Sequence, residues 1–142
     1  MDLHLTTLIE GEAAIVAATG EVDVHAAPQL RGELGDLVRA GHHHLVVDLQ
    51  RVTFMDSSGI GVLIGALKKT RAHDGSLRVV CANDPILKLL RITGLTRVFP
   101  IHATIGEALA GIRSDVDRRP AEPTGFAPME LGEWSPTDSP GR

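Results

Sequence analysis

The fold is decided by the stretch VVDLQRVTFMDSSGIGV, which covers residues 46–62. It begins inside a nearly continuous apolar run, Leu45–Leu49, which is typical of a strand buried on both faces. The more polar residues 50–56 predict a connecting loop. A helix follows from about Ser58 to Ala72, because its apolar residues recur on one face: Ile60, Leu63, Ile64 and Leu67. The stretch therefore predicts a strand, a loop and a helix in succession.

On the N-terminal side, residues Leu3 to Thr19 predict two strands joined by a hairpin turn at Glu10-Gly11. A helix then opens at Pro28 and ends just before Gly41, where a C-terminal glycine is expected. The helix has one apolar stripe: Leu30, Leu34, Leu37 and Val38.

On the C-terminal side, the turn Asp74-Gly75 leads into a buried strand, Leu77–Cys81. Asp84-Pro85 predicts a helix start with Asp84 as its cap and Gly94 at its end. Two elements complete the prediction: a short edge strand Val98–Ile101, and a last helix that begins with the capping box Thr104-Ile-Gly-Glu107. Strands that alternate with helices indicate an α/β fold, a mixed but mostly parallel sheet of four to five strands with about four helices.

The composition changes after Arg113. Residues 114–142 hold five prolines, scattered charges and few apolar side chains. Such a segment cannot bury enough apolar surface to offset the entropy of ordering it. We therefore expect a single domain over residues 1–113 and a Pro-rich disordered tail over 114–142, with Trp134 outside the core.

The charge, the cysteine content and the hydropathy of the sequence exclude several classes of protein. A formal net charge of -4 and the lack of a basic stripe argue against a nucleic-acid-binding protein. The densest basic stretch, Lys68 to Arg71, sits at a helix end, where it complements the helix dipole. The single cysteine, Cys81, excludes an internal disulfide and is expected to be a buried thiol. With no signal-peptide pattern and no bilayer-length apolar run, we expect a cytoplasmic protein that makes no membrane contact.

The residues Asp56-Ser57-Ser58-Gly59 open the helix of the deciding stretch. Ser57 or Ser58 is the natural cap. Amides at a helix N-terminus carry partial positive charge and favour phosphate, so a serine there can be phosphorylated without disrupting the fold. Phosphate adds about 1.5 to 2 negative charges beside Asp56, which would repel a partner shaped for a neutral hydroxyl. From these residues alone, a simple capping role stays open.

The glycines of this helix also need an explanation. Gly59, Gly61 and Gly65 each cost about 0.5–1 kcal/mol relative to alanine inside a helix. Close approach of another backbone, or of a partner surface, would account for them.

The sequence motifs do not support an enzymatic, metal-binding or nucleotide-binding site. His42-His43-His44 would point to alternate faces of a strand, and no cysteine or second histidine cluster supports a metal site. Neither serine has glycine two residues before it, as a hydrolase nucleophile would require, since Met55 and Asp56 stand there. Gly59-Ile-Gly61 lacks the third glycine of a dinucleotide fingerprint. We therefore expect no enzyme activity, no cofactor and no metal.

The deciding stretch resembles the signature of the STAS family, specifically bacterial anti-sigma factor antagonists. The resemblance extends over roughly Leu3 to Ile112 and rests on these segments: Gly20–Asp23, Asp48-Leu49, Val52–Leu63, Val79–Ala82 and Leu90–Leu95. It implies that Ser57, directly after the motif aspartate, is phosphorylated by a partner that is both anti-sigma factor and serine kinase. That partner would be an ATPase of the histidine-kinase-like type.

The resemblance implies a partner switch. The unmodified protein binds the anti-sigma factor and frees a sigma factor, the phosphorylated form lets go, and a PP2C-like phosphatase resets it. The surface that binds the partner would comprise these residues: Asp23, Asp56, Ser57, Ser58, Gly59, Ile60 and Gly61. One departure is Ala26, which stands where such antagonists often carry a threonine that caps the first helix, a loss of about 1 kcal/mol. The rival role within the family is a binding module without a switch, in a stressosome-like scaffold or a transporter-associated subunit.

Overall fold

The computed structural model of the chain describes residues 2–117. Five strands form one sheet in the order β1 to β5: β1 His4–Glu10, β2 Ala13–Val22, β3 His44–Met55, β4 Ser76–Val80 and β5 Ile101–His102. The pair β1–β2 is antiparallel and every other pair is parallel. The helices are α1 Ala27–Arg39, α2 Ser57–Arg71, α3 Asp84–Ile92 and α4 Ile105–Asp117. The predicted α/β class, the N-terminal hairpin and the mostly parallel sheet are confirmed.

The sheet is covered on both faces. Side chains from α1, α2 and α3 pack against one face, which includes Val47 and Val79, and α4 packs against the other, which includes Val46 and Val80. This arrangement explains why the central strand reads as a continuous apolar run. Cys81 is buried as expected, and its burial raises the pKa of the thiol. No helix within residues 2–117 is both long and apolar enough to cross a bilayer.

The predicted loop over residues 50–56 is wrong, because β3 continues to Met55. Val52 and Met55 are buried and pair with Gly20 and Val22 of β2. Two register shifts, between Ala17 and Thr19 and between Gly20 and Glu21, interrupt the regular alternation of this part of the ladder. Because irregular pairing interrupts the alternation of buried and exposed residues, a search for a two-residue periodicity does not detect this part of the strand.

In the second half of the chain, the start of α3 and the position of the edge strand also differ from the prediction. Asn83, not Asp84, caps α3: its side-chain oxygen accepts from the Ile86 amide at 3.5 Å, and its amide nitrogen donates to the Val52 carbonyl at 2.7 Å. The short edge strand occupies Ile101–His102 rather than Val98–Ile101, because the chain first makes a 3-10 turn over Leu95–Arg97.

The last helix begins where the capping box predicts. The Glu107 amide donates to Thr104 Oγ1 at 3.2 Å, and the Glu107 carboxylate accepts from the Ala103 amide at 3.3 Å. The helix then continues to Asp117, four residues past the domain end that the sequence indicated at Arg113. The rest of the predicted tail, with Trp134, lies outside the described residues, so its disorder stays a prediction.

Arg78 ties α4 to the sheet. Its side chain is buried, forms an ion pair with Asp115, donates to the Gly111 carbonyl at 3.2 Å and lies 3.0 Å from His102 Nε2. A Cβ at Gly111 would lie 2.5 Å from the guanidinium, so the absence of a side chain there makes room for it. A neutral His102 accepts a hydrogen bond from Arg78, whereas a protonated one would place two cations side by side.

We expect His102 to make the fold less stable in mild acid. Burial lowers the pKa of His102 below its ordinary value of 6.5, and the charge of Arg78 lowers it further, against a smaller raising effect of Glu107. The unfolded chain therefore binds this proton more readily, so the stabilisation is present above about pH 6.5 and is lost as the pH falls through the lowered pKa. Melting temperatures from pH 8 to 5 should fall less steeply for His102→Gln than for the parent, while the exposed His25→Gln should follow the parent. Parallel curves for all three proteins would contradict this role.

Candidate functional site

The cap of α2 is Asp56, and the prediction of a serine cap is wrong. Asp56 has extended backbone, and its Oδ1 accepts from the Ser58 amide at 2.9 Å. Its own amide donates to the Val22 carbonyl at 3.4 Å, which joins the helix start to the end of β2. A carboxylate satisfies a first-turn amide and also complements the helix dipole.

The consequence is a free hydroxyl at the helix tip. Ser57 is the first residue of α2 and is exposed, and its hydroxyl makes no hydrogen bond within residues 2–117. Ser58 is half-buried, and its backbone amide is the group held by Asp56. Of the two serines, Ser57 is therefore the one whose oxygen is open to a second protein.

The loop between β2 and α1 forms the neighbouring wall of the site. Asp23 is half-buried, and its Oδ1 accepts from the amides of His25 and Ala26 at 3.1 and 2.9 Å. The Asp23 carbonyl accepts from the Ala27 amide at 2.8 Å. Asp23 thus organises the start of α1 in place of a cap at Ala26, which has no side-chain hydrogen bond. Because β2 and β3 are parallel neighbours, Asp23 and Ser57 follow strands that end at the same edge of the sheet.

Two exposed apolar side chains flank these loops. Val24 is 61% exposed beside Asp23, and Phe54 is 46% exposed at the end of β3, three residues before Ser57. Large apolar side chains exposed around a polar centre are typical of interaction surfaces. The sequence reasoning missed both residues. The available signal was Phe54 itself, an aromatic residue in a segment that was assigned to a loop.

Two of the predicted contact residues lie beneath the site rather than on its surface. A Cβ at Gly59 would lie 2.6 Å from Met55 Cγ and 2.9 Å from Val22 Cγ1, so this glycine allows α2 to pack closely on the strand ends. Ile60 is 9% exposed and belongs to the core. Close packing within the domain therefore explains Gly59, and the exposed surface is formed by its neighbours.

Gly61 and Gly65, in contrast, have open space where a Cβ would be. They line a groove of about 170 Å³ between α1 and α2, together with Arg31 and Lys69. Ser57, Gly61, Gly65 and Lys69 are spaced four residues apart, so they lie along one face of α2. Ser57 precedes Gly61 by about one helical turn, and the groove that begins at Gly61 is bordered by the cationic side chains of Arg31 and Lys69.

The described residues give Ser57 no catalytic partner. Within residues 2–117, no hydrogen bond links Ser57 to a histidine that could act as a base, and no group of three or more His, Cys, Asp or Glu side chains is arranged to hold a metal. Two of the three consecutive histidines have other contacts: His44 Nδ1 lies 3.0 Å from Ser76 Oγ, and the ring centroid of His43 lies 4.3 Å from that of His73, on which it stacks. A phosphate on Ser57, however, would sit at the positive end of a 15-residue helix.

Comparisons of the sequence and of the structure with known proteins point to the same family. A family model described as the STAS domain matches residues 4–108. The anti-sigma-B factor antagonist of Staphylococcus aureus is 34% identical over 95 residues, which cover 67% of this chain and 88% of that protein. A solved anti-sigma factor antagonist from Mycobacterium paratuberculosis superposes with a TM-score of 0.71 at 26% identity, over 79% of this chain and 95% of that one. The structure of the Bacillus cell fate determinant SpoIIAA in its phosphorylated form superposes with a TM-score of 0.63 at 25% identity. The match covers 78% of this chain and 100% of that one.

Proposed function

Because this chain belongs to the STAS domain family, we propose that it is an anti-sigma factor antagonist controlled by phosphorylation of Ser57. The unmodified protein binds an anti-sigma factor and so frees a sigma factor for transcription. The anti-sigma factor is also a serine kinase of the histidine-kinase-like ATPase type, a PP2C-like phosphatase removes the phosphate, and the exchange takes place in the cytoplasm. The protein acts by binding and carries out no reaction itself.

One observation carries this proposal: the hydroxyl of Ser57 at the N-terminus of α2 is exposed and makes no hydrogen bond to any described residue. A kinase can reach that oxygen without unfolding the helix, since the cap is made by Asp56. The modified residue would gain the favourable dipole of α2 but would also concentrate negative charge next to the Asp56 carboxylate. The fold would therefore tolerate the phosphate, while a partner that fits a neutral surface would not.

The names of the relatives support this role over the rival one. Both the Staphylococcus aureus and the Mycobacterium paratuberculosis proteins are named anti-sigma factor antagonists. The phosphorylated form of SpoIIAA shares the fold at 25% identity. No observation on the site favours a scaffold subunit or a transporter-associated module.

The proposal is tested by reconstitution. The full chain is titrated into a complex of an anti-sigma factor and its sigma factor, and the release of sigma factor is followed by transcription from a sigma-dependent promoter. We expect release by the unmodified chain, loss of release after incubation with ATP, and recovery when a PP2C-type phosphatase is added. Release that is unaffected by ATP, together with no mass increase of the chain, would argue for the binding module without a switch.

Removal of the exposed aromatic ring of Phe54 should weaken partner binding. We expect Phe54→Ser to reduce affinity for the anti-sigma factor by about tenfold or more, because aromatic anchors at the centre of an interface carry much of its binding energy. The free energy of unfolding should fall by no more than about 1.5 kcal/mol, since nearly half of the residue is already exposed. Calorimetric titration measures the first quantity and chemical denaturation the second.

A matched control is available on α3. Ile92 is 73% exposed and is the last residue of α3, more than two helical turns beyond the cap Asn83 that bonds to Val52 of β3. Ile92→Ser removes a comparable exposed apolar side chain and should leave the affinity unchanged. Equal losses for both variants would show that the contact surface is not centred on the end of β3.

A further inference from the structure

The strand β1 leaves one side of the sheet open. Within residues 2–117 it pairs with β2 alone, in an unbroken register. Its sequence, HLTTLIE, contains no proline and no lysine, and it has no bulge, so three of the features that protect edge strands from pairing are missing. Leu8 is 57% exposed and Ile9 46% exposed. An edge of this kind is competent to accept a further strand.

The hairpin fixes which backbone groups face outward. The two-residue loop Gly11-Glu12, with a φ of 59° at Gly11, closes on the pair Glu10 and Ala13. Such a loop closes on a hydrogen-bonded pair, and hydrogen-bonded and non-bonded pairs then alternate along an antiparallel ladder. The even-numbered residues of β1 therefore bond to β2. The amides and carbonyls of Leu5, Thr7 and Ile9 point to the open edge.

We propose that this chain self-associates through β1, which pairs with β1 of a second copy in a two-fold antiparallel arrangement centred on Thr7. In that register Leu5 of each copy faces Ile9 of the other, and Thr7 faces Thr7, so all three outward residues form hydrogen-bonded pairs. Since each such pair contributes two bonds, about six backbone hydrogen bonds would join the copies.

The side chains favour this register over its neighbours. His4 of each copy lies opposite Glu10 of the other, which gives two contacts between an imidazole and a carboxylate at the ends of the pair. Shifting the centre away from Thr7 separates both contacts and shortens the ladder. On the other face of the sheet, the Thr7 hydroxyl donates to Glu33 of α1 at 2.6 Å, so that carboxylate is already engaged within its own chain.

The paired edge is separated from Ser57 by one strand. Ser57 follows β3, and β2 lies between β3 and the open edge. Self-association through β1 is therefore independent of the proposed function and would hold whether or not Ser57 is phosphorylated. A single strand pair buries less than a standard interface of about 1,600 Å², so we expect weak association in the micromolar to millimolar range.

A charge-exchange experiment tests the proposal. Sedimentation velocity of the full chain, from about 10 to 500 µM, should show a dimer that grows with concentration. His4→Glu places like charges opposite each other and should weaken association at least about tenfold, and Glu10→Lys should weaken it less. The double variant restores opposite charges and should recover the dimer. Within the chain these residues face Thr19 and Ala13, so neither change places a like charge directly opposite in the hairpin.

Amide exchange gives a second readout. The amides of Leu5, Thr7 and Ile9 should become protected as the concentration rises, while those of Thr6 and Leu8 stay protected throughout. A monomer over the whole range would overturn the proposal. So would a dimer that is indifferent to the charge exchange, or protection of the edge that does not depend on concentration, which would indicate an occupant from the same chain.

Discussion

Replacement of Ser57 by aspartate should weaken binding of the anti-sigma factor by about a hundredfold or more, which corresponds to about 2.7 kcal/mol. The new carboxylate would stand at the exposed tip of α2, next to the Asp56 carboxylate. Like charges brought together at an interface cost several kcal/mol, and an interface formed around a neutral hydroxyl has no cation to compensate. Calorimetric titration of the anti-sigma factor with each purified variant measures the effect.

Two further variants at this position separate charge from shape. Ser57→Asn has nearly the same size as Ser57→Asp without its charge and should lose less than about tenfold in affinity. Ser57→Ala should bind as tightly as the parent, because among residues 2–117 the hydroxyl has no hydrogen bond that would be lost. If the asparagine and aspartate variants bound equally poorly, steric exclusion rather than charge would explain the switch.

The same set of variants identifies the modified serine. After incubation with the kinase and ATP, intact-mass spectrometry should show one added phosphate on the parent and on Ser58→Ala, and none on Ser57→Ala. The half-buried position of Ser58 and the use of its amide in the Asp56 cap favour this assignment. Full phosphorylation of Ser57→Ala would remove Ser57 from the mechanism.

Gly75→Ala should be the most destabilising single methyl addition outside the site, with a loss of about 3 kcal/mol or more in the free energy of unfolding. A Cβ at Gly75 would lie 1.8 Å from the His43 carbonyl oxygen and 2.6 Å from its carbonyl carbon. These atoms are backbone, and the same oxygen accepts from the Ser76 amide at 3.0 Å at the start of β4. Relief of the clash would therefore require the first residues of β3 and β4 to separate.

At a second glycine, Gly32, we expect replacement by alanine to stabilise the fold. Gly32 lies in the interior of α1, is exposed, and has no atom within 4 Å of the position of a Cβ. Gly32→Ala should raise the free energy of unfolding by about 0.5–1 kcal/mol, since alanine restricts the unfolded chain and favours the helix. Urea denaturation of the two variants beside the parent compares them directly. Similar values for both would mean that backbone contact at Gly75 is not what limits stability there.

Much of the architecture follows from local patterns. The apolar stripe from Leu30 to Val38 identified α1, and the continuous apolar run Leu45–Leu49 indicated a strand covered on both faces, which α1–α3 and α4 then provide. The family resemblance chose Ser57 of the pair Ser57-Ser58, but the pair itself could be placed at a helix start because a polar dipeptide between a buried strand and an apolar helix stripe marks one. In each case the feature depends on residues close together in the chain, so periodicity and capping chemistry are enough to find it.

The corrections concern contacts between distant segments. Whether Asp56, Ser57 or Ser58 caps α2 depends on where the backbone leaves extended geometry, and the hydrogen bond from Asp56 to Val22 sets that point. Asn83 caps α3 in the same way, through its bond to Val52. Adjacent polar residues have similar capping propensities, so the local sequence does not distinguish among them.

The length of β3 and the role of Gly59 also depend on contacts between distant segments of the chain. β3 extends to Met55 because β2 accepts it through two register shifts, and Gly59 is required because Met55 and Val22 then fill the space beside it. Local patterns specify which faces of an element are apolar, because a periodic face must be buried somewhere. The atoms that meet that face are supplied by other parts of the chain, so only the folded arrangement determines which side chain caps, which glycine is required and which hydroxyl remains exposed.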